Sequence, residues 1–225
     1  MGISIGFHRK VNDWILSQEQ EVVFRPFLVD GNPYKSRVFV VGAFPQPNLN
    51  IQPDEQQQYI EALVDVALFD SVYGEKMQCR ENKGVTAFTQ WLKETCGEAV
   101  VNTNVTTLMA DSVKQLKEFK KTTPQDYEKG FQVFREVLEE FQPEIVILHG
   151  ADALKQFRHQ FKDCLIDYYA HIEKVQELEE VGAFAEIHFH EERKVKILAC
   201  RNLSMYGKSG EKFADFKQRV LNHLL

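Results

Sequence analysis

Short apolar strands alternate with amphipathic helices along this chain, and the alternation predicts an α/β fold. The predicted helices are about 10–18 residues long, which favours a mainly parallel central sheet covered on both faces, a three-layer α/β/α sandwich. The 225 residues, with 44% hydrophobic residues and 17 Phe, can fill one core. We therefore expect a single domain over residues 1–225, in which residues 46–83, polar at both ends, form an insertion or lid.

The first half of the chain is predicted to contain three helices and two strands. Residues 5–20 place apolar side chains at helical spacing. After a Gly- and Pro-containing turn, the β-branched and aromatic run 37–41 predicts a strand that Gly42 closes. Helical spacing returns in two further segments, and a second apolar strand follows a glycine that is placed to end the last helix. These elements are expected at residues 54–69, 85–96 and 99–104.

The second half repeats the alternation. Residues 124–141 predict a long helix with five inward apolar side chains, Phe131, Phe134, Val137, Leu138 and Phe141. A buried strand follows and ends at His149-Gly150. Two late apolar segments are expected to form either a hairpin or successive strands, at residues 186–190 and 195–200. The remaining predictions are a strand at 144–148 and helices at 151–161, 167–180 and 212–225.

Composition excludes some classes of function. The formal net charge of −6 argues against electrostatic coating of a nucleic acid by a broad basic face, although it leaves room for a local basic patch. The four cysteines are scattered and form no C-x-x-C pair, so a zinc or iron–sulfur site has little support. We expect no metal and no cofactor. The polar N-terminus and the lack of an apolar run of about 20 residues predict a cytoplasmic protein without a membrane span.

Three predicted strands end in residues that suit ligand binding. Gly42-Ala43-Phe44-Pro45 follows the first strand, Asn104 ends the second, and Arg201-Asn202-Leu203-Ser204 follows the last. Because open α/β sheets bind ligands at the carboxyl ends of their strands, the three ends indicate one shared site. Gly42 permits close backbone approach, and each carboxamide offers both a donor and an acceptor. Arg201 suits a phosphate contact.

Each of these segments also has a purely structural interpretation. The Gly42 turn is an ordinary strand exit that lacks the spacing of a phosphate loop. Asn104 and Ser204 suit turns or caps, and Arg201 suits a surface ion pair. Lys208, in a loop bounded by glycines, suits either phosphate contact or plain solvation.

The histidines are interpreted as structural. His188 and His190 share a strand face, but no third metal ligand is indicated, so a solvated edge strand is the simpler interpretation. His149 ends a strand before Gly150, where a helix-cap or core role is expected.

The three strand-end segments, taken in this order, resemble the uracil-DNA glycosylase superfamily. Its members have a Gly-x-x-Pro turn after an early strand, an Asn ending a middle strand, and a His-Pro-Ser-like or Asn-Pro-Ser-like segment after a late strand. Here these correspond to Gly42-Ala43-Phe44-Pro45, Asn104 and Asn202-Leu203-Ser204. The segments Arg25-Pro26-Phe27 and Pro143 to Ala153 add to the resemblance, which spans most of residues 25–220.

The resemblance implies a DNA base glycosylase that flips uracil or a related damaged base out of the stack and hydrolyses its N-glycosidic bond. Gly42, Phe44 and Asn104 would then bind the base, and Asn202, as the catalytic residue, would face its departing oxygen. Ser204 would hold the loop backbone or a phosphate. Candidates for the ring that stacks on the base are Phe44, Phe69 and Tyr73. The implied partner is DNA with a flipped base; no cofactor is implied.

The chain departs from the family pattern in the first motif. Ala43 and Phe44 stand where the family supplies a side chain that acts on water, and neither can accept a proton. Candidates for that role in the adjacent loop are Asn48, Asp54 and Glu55. Leu203 also stands where proline is usual, and Asn202 where many members have His.

Three hypotheses therefore stand side by side. The chain is an active glycosylase with altered water activation, or a catalytically inactive member that binds a nucleobase, a nucleic acid or a protein. The third is a flavodoxin-like or other nucleotide-binding α/β domain, for which we expect a different strand order and no convergence of Asn104 with Asn202.

Overall fold

A six-stranded mixed sheet organises the chain, with its strands in the spatial order β2-β1-β3-β6-β5-β4. The computed structural model describes residues 5–97, 99–190, 193–207 and 209–224. The strands are β1 (Val38–Gly42), β2 (Val100–Asn104), β3 (Ile145–His149), β4 (Leu165–Asp167), β5 (Ala183–His190) and β6 (Arg193–Cys200). The first four in spatial order run parallel, whereas β5 and β4 are each antiparallel to the strand before them. The predicted mainly parallel α/β sheet is confirmed.

The helices lie on both faces of this sheet. They are α1 (Ile5–Ile15), α2 (Gln56–Ala62), α3 (Val66–Tyr73), α4 (Arg80–Cys96), α5 (Val113–Thr122), α6 (Pro124–Phe141), α7 (Ala151–Gln160), α8 (Val175–Val181) and α9 (Ala214–Leu224). Among the described residues, no helix has both the length and the apolar character needed to cross a membrane.

The alternation of side chains along each strand divides the core in two. Val38 and Val40 face one side, where they pack with side chains of α4 and α9 such as Phe88 and Phe216. Phe39 and Val41 face the other side, in the larger core that α1, α2, α6, α7 and α8 complete. β1 and β3 are buried throughout, and this explains their nearly continuous apolar sequences, since both faces of such strands are covered.

The strand order creates a crevice between β1 and β3. From β1 the chain crosses to β2 on one side, and it later reaches β3 on the other side. A reversal of this kind is the place where open α/β sheets bind ligands. Counted along the chain, the four parallel strands stand in the order 2-1-3-4, with which the flavodoxin-like sheet also begins. Contrary to our expectation, strand order therefore does not distinguish the flavodoxin-like alternative from the glycosylase-like one.

Several element predictions need correction. The helix expected at 54–69 is two helices, because Asp65 caps a new one: its Oδ1 accepts a hydrogen bond from the Leu68 N–H at 3.0 Å. The helix expected at 167–180 contains only α8, since its first residue belongs to β4 and turns follow. The lysine-rich α5 was not predicted. The two late strands form an antiparallel hairpin, which settles the alternative left open by the sequence.

Residues 46–83, the segment predicted as an insertion or lid, hold α2, α3 and the start of α4. Tyr59, Ile60 and Phe69 of this segment are buried in the larger core. These contacts anchor the segment to the sheet; its role as a lid stays a prediction.

Candidate functional site

Four strand ends form one row at the carboxyl edge of the parallel sheet. Gly42 pairs with Asn104 in the β1–β2 register, and His149 pairs with Cys200 in the β3–β6 register. Val41 pairs with Leu148, so His149 stands next to Gly42. Residues paired in parallel register project to the same face, and this is the face that α4 covers. The sheet thus brings Asn104 and His149 together on either side of Gly42.

Gly42 makes this convergence sterically possible. A Cβ at this position would lie 2.6 Å from Asn104 Oδ1 and 3.0 Å from His149 Nε2. Both distances are shorter than an ordinary van der Waals contact, so a larger residue would push the two side chains away. The glycine predicted to allow close approach of a ligand therefore allows close approach of two polar side chains.

His149 forms a buried, neutral wall of the site. It is 4% exposed, and burial lowers the pKa of its imidazole to about 4, which keeps the ring uncharged at neutral pH. Its Nδ1 atom lies 3.7 Å from Glu81 Oε1 and has no hydrogen-bond partner in the described part of the chain. The histidine expected to cap a helix or fill the core thus presents an unpaired ring nitrogen beside a carboxylate.

Glu81 comes from the first turn of α4 and is half-buried. Burial raises the pKa of its carboxyl group, a hydrogen bond with Asn202 lowers it, and the charge of Asp152 raises it further; the net direction is upward. A carboxylate with a raised pKa is a stronger base, and one next to a cleft is a candidate for proton transfer.

The close contact of α4 with the turn after β6 explains how Glu81 reaches Asn202. The Gly84 backbone lies so near the Leu203 carbonyl that a Cβ at Gly84 would overlap with it. Glycine at this helix position therefore lets the first turn of α4 approach the last strand end.

A cavity of about 730 Å³ opens in front of this row. Asn104 and His149 line it from the sheet, Glu81 and Asn82 from α4, and Phe44 from the turn after β1. Asn104 is half-buried, and no hydrogen bond to its carboxamide is found within the described ranges. The neighbouring Asn102 is instead engaged, since its Oδ1 accepts a hydrogen bond from Thr89 Oγ1 at 2.9 Å. The carboxamide of Asn104 is therefore available to a ligand.

The three rings considered for stacking differ in access. Phe44 is half-buried and lines the cavity. Phe69 also lines it but is 0% exposed, and Tyr73 packs against Phe69 with ring centroids 5.1 Å apart. Phe44 is thus the most accessible of the three.

The last predicted segment lies beside the cavity rather than in its wall. Asn202 Oδ1 accepts a hydrogen bond from the Ser204 N–H at 2.8 Å, which leaves its Nδ2 to donate to Glu81. Ser204 is exposed on the resulting turn. Asn202 is not among the described residues that line the cavity. Asn104 and Asn202 are thus linked through His149 and Glu81, and a direct contact of Asn202 with a departing base stays a prediction.

Arg201 is engaged in an ion pair. Its Nη2 and Nε donate to Glu179 Oε1 at 2.6 and 3.0 Å, and its guanidinium also lies over the Phe213 ring. Glu179 is 5% exposed, so the pair fastens α8 to the end of β6. Arg201 thus forms an ion pair, as its structural interpretation predicts, but its partner is buried. The phosphate contact of Arg201 stays a prediction.

Other predicted groups lie away from the cavity. Asn48, Asp54 and Glu55 do not line it within the described chain, and the Glu55 carboxylate accepts a hydrogen bond from the Gln52 N–H at 2.9 Å. His188 lies 3.4 Å from Glu186, and the described residues contain no cluster of three or more side chains arranged to hold a metal. Lys208 lies outside the described residues.

A second groove of about 450 Å³ shares Phe44 with the cavity. Lys117 and Lys120 line it from α5, and Lys155 lines it from α7. Glu128 and Asp152 also border this groove, so its cationic side chains outnumber its acidic ones. The groove therefore carries a small excess of positive charge on a chain of net charge −6.

Sequence reasoning placed the strand ends at one sheet edge, but it gave His149 a helix-cap or core role and did not name Glu81. His149 follows an apolar strand and precedes a glycine, which was a usable signal. Glu81 lies on a helix that was predicted to begin later, at residue 85, and nothing in its neighbourhood marks it. Comparison of the chain with protein-family models and with curated proteins finds no match.

Proposed function

We propose that this protein binds a nucleobase of DNA in the sheet-edge cavity and hydrolyses its N-glycosidic bond, with uracil or a related damaged base as substrate. The observation that carries the proposal is the approach of Asn104 and neutral His149 across Gly42, at the crevice between β1 and β3. Glu81 lies 3.7 Å from Nδ1, the other ring nitrogen of His149. The resemblance to the uracil-DNA glycosylase superfamily points to the same edge of the sheet.

Asn104 and Phe44 suit recognition of a base. The free carboxamide of Asn104 has both a donor and an acceptor, which can pair with the polar edge of a nucleobase. Phe44 offers an aromatic face at the cavity wall for stacking. A volume of about 730 Å³ lies within the usual range of small-molecule sites and leaves room for a sugar beside the base.

Glu81 supplies the proton acceptor that the first motif lacks. In the proposed reaction Glu81 removes a proton from water, the water oxygen bonds to C1′ of the sugar, and the C1′–N bond breaks. The bonding electron pair leaves with the base, whose carbonyl oxygen becomes more negative. A neutral imidazole and a carboxamide can hydrogen-bond to that oxygen as charge develops. Asn202 acts as a positioning residue, because its hydrogen bond orients the Glu81 carboxylate.

The three lysines of the second groove suit contact with the nucleic-acid strand outside the base site. Lys117, Lys120 and Lys155 stand next to Phe44, which belongs to both the groove and the cavity. Lysine side chains along a groove neutralise phosphates without reading sequence. A strand held there would enter the cavity from the side of Phe44.

A second candidate function is binding without chemistry on the same fold. Ala43 and Phe44 in the first motif favour it, because a turn that has lost its proton acceptor no longer has the family's means of acting on water. This candidate differs from the first in one result: base binding without base release.

The test is base release from single- and double-stranded oligonucleotides that carry uracil, hypoxanthine or a mismatch. We expect Asn104→Ala to abolish release and Glu81→Gln to slow it by about 10²- to 10⁴-fold while binding persists. Glu94→Gln is the matched control, because Glu94 lies on the exposed side of the same helix and accepts a hydrogen bond only from Gln90 in the described structure. Oligonucleotide binding with no release by the wild type would favour the second candidate, and neither binding nor release would refute both.

The pH profile tests the assignment of Glu81 separately. Because the carboxylate must be deprotonated, the rate should fall as the pH drops through a pKa above that of an ordinary Glu. Asn202→Ala removes the hydrogen bond that lowers this pKa, so the acid limb should move to higher pH. An unchanged limb would show that Glu81 is not the titrating base.

A further inference from the structure

Arg25 is a buried cation without a carboxylate partner among the residues that the structure describes. The residue is only 8% exposed. In the described chain, Arg25 and Glu179 are the two buried residues of the Asp, Glu, Lys and Arg class, and Glu179 is paired with Arg201. No salt bridge of Arg25 is found within the described ranges. A buried charge without a partner is costly, so its presence calls for an explanation.

Within the described part of the chain, the hydrogen bonds of the Arg25 guanidinium leave most of its donors unused. Nη1 donates to Met77 Sδ at 3.3 Å, and a thioether is a weak acceptor. Burial lowers the pKa of the guanidinium, and the neighbours that act on it are Tyr59 and Cys79, rather than Asp or Glu. By contrast, Arg37 and Arg158 each donate to a carboxylate at 2.9 and 2.8 Å.

Arg25 lines the cavity described above, together with Met77, which accepts a hydrogen bond from its guanidinium. Its backbone is fixed there, because the Arg25 N–H donates to the Thr107 carbonyl at 2.8 Å. The next residue is fixed as well: Thr103 Oγ1 donates to the Pro26 carbonyl at 2.6 Å. Arg25 is thus held beside the carboxyl end of β2, where Asn104 enters the same cavity.

We infer that Arg25 forms an anion subsite in this cavity and binds a phosphate group of the ligand. The planar guanidinium can donate to two phosphate oxygens at once, and a phosphate would supply the negative charge that no described carboxylate provides. The inference rests on the proposed function for the position of the base, with Asn104 on the base and Arg25 on the phosphate. The phosphate belongs either to a DNA strand or to a free nucleotide, and the two sources share the same oxygen chemistry.

Calorimetric titration with four probes separates these sources: inorganic phosphate, deoxyuridine, deoxyuridine 5′-monophosphate and a short uracil-containing single strand. Arg25→Met removes the charge at similar volume, and Arg25→Lys keeps the charge without the planar guanidinium. Lys93→Met is the matched control, since Lys93 lines the same cavity but is paired with Asp30 at 2.5 Å. It changes the net charge by the same amount.

With the wild type we expect inorganic phosphate to compete with one phosphorylated probe. If the monophosphate binds at least tenfold more tightly than deoxyuridine, and Arg25→Met removes that preference, the source is a free nucleotide. If the monophosphate and deoxyuridine bind with equal affinity, the affinity for the oligonucleotide decides. A loss of about 10- to 100-fold in Arg25→Met but not in Lys93→Met shows that the phosphate belongs to the DNA strand. In either case Arg25→Lys should recover only part of the affinity.

Thermal unfolding guards against a merely structural role. Because Arg25→Met removes an unpaired buried charge, the midpoint of the ligand-free protein should stay the same or rise. Unchanged binding of every phosphorylated probe by Arg25→Met would overturn the inference, whether or not the midpoint falls. These experiments measure binding and not base release. If phosphate binding depends on Arg25 but the protein releases no base, the anion subsite stands and the proposed function is refuted.

Discussion

Replacing Gly42 by alanine should damage the site much more than the fold. The added methyl would lie 2.6 Å from Asn104 Oδ1, so this oxygen must move away by about 0.8 Å to reach an ordinary contact of about 3.4 Å. His149 cannot absorb the change, because it is 4% exposed and its ring would itself lie 3.0 Å from the methyl. The strand cannot shift easily either, since β1 is hydrogen-bonded to β2 and β3 on its two sides.

From this displacement we expect about a 10²-fold loss in kcat/KM, since misplacing a group in an active site by about 1 Å has that effect. The free energy of unfolding should fall by only about 1–2 kcal/mol, as for one extra methyl in a packed site. The assays are base release from a uracil oligonucleotide and urea unfolding of the same preparations.

Val41→Ala is the matched control. Val41 precedes Gly42 on the same strand, is 0% exposed and faces the larger core rather than the cavity. Its truncation should cost about 2 kcal/mol of stability and leave kcat/KM of the folded protein unchanged. If Gly42→Ala keeps full activity while losing stability like Val41→Ala, the contact of Asn104 and His149 across Gly42 has no functional role.

Three further perturbations test other parts of the structure. The His149 pKa of about 4 lies below the unfolded value of 6.5, so the free energy of unfolding should be full above pH 6.5 and fall by about 3 kcal/mol as the pH drops to 4. In urea unfolding, His149→Asn should lose this contribution to the pH dependence of stability, and an equal pH dependence in the variant would contradict the burial argument. Glu179→Gln leaves Arg201 without its carboxylate and should cost about 3 kcal/mol in the same assay, whereas Glu177→Gln at an exposed site should cost under about 0.5. Lys117→Ala combined with Lys120→Ala should reduce the slope of log K against log salt for a single strand by about 1.4, and an unchanged slope would place the strand elsewhere; the control is the same double change at Lys35 and Lys212, exposed lysines outside the groove.

The element predictions were most accurate where the apolar pattern was long and buried. The helix expected at 124–141 matches α6 residue for residue, because a proline opens it and its inward face repeats over five turns. Short helices were predicted less well. The break before α3 depends on one Asp65 hydrogen bond, and α5 has Leu116 as its only fully buried side chain. Local pattern is a weak guide when so few residues per helix contact the core.

The sequence predicted which strand ends lie at one edge of the sheet, but not all of the side chains that lie beside them. Gly42, Asn104 and Asn202 could be identified because they follow apolar strands, and strands of a parallel sheet end at one edge. Glu81 could not, because it belongs to a helix that is brought to this edge by tertiary contacts such as that of Gly84 with Leu203. Arg25 was recognised as part of a motif, but the absence of a carboxylate beside it in the described chain depends on its spatial surroundings and not on its neighbours in sequence.

The sequence by itself determined the α/β class, the alternation of elements and the side chains that stand at the strand ends, because hydrophobic periodicity and turn residues act over a few residues at a time. Only the tertiary structure decided that Asn104, Gly42 and His149, separated by dozens of residues, are neighbours, since strand order sets which ends meet. It also decided their chemistry. Burial holds His149 neutral and raises the pKa of Glu81, and it lowers the pKa of Arg25. The burial of a side chain depends on everything that packs around it.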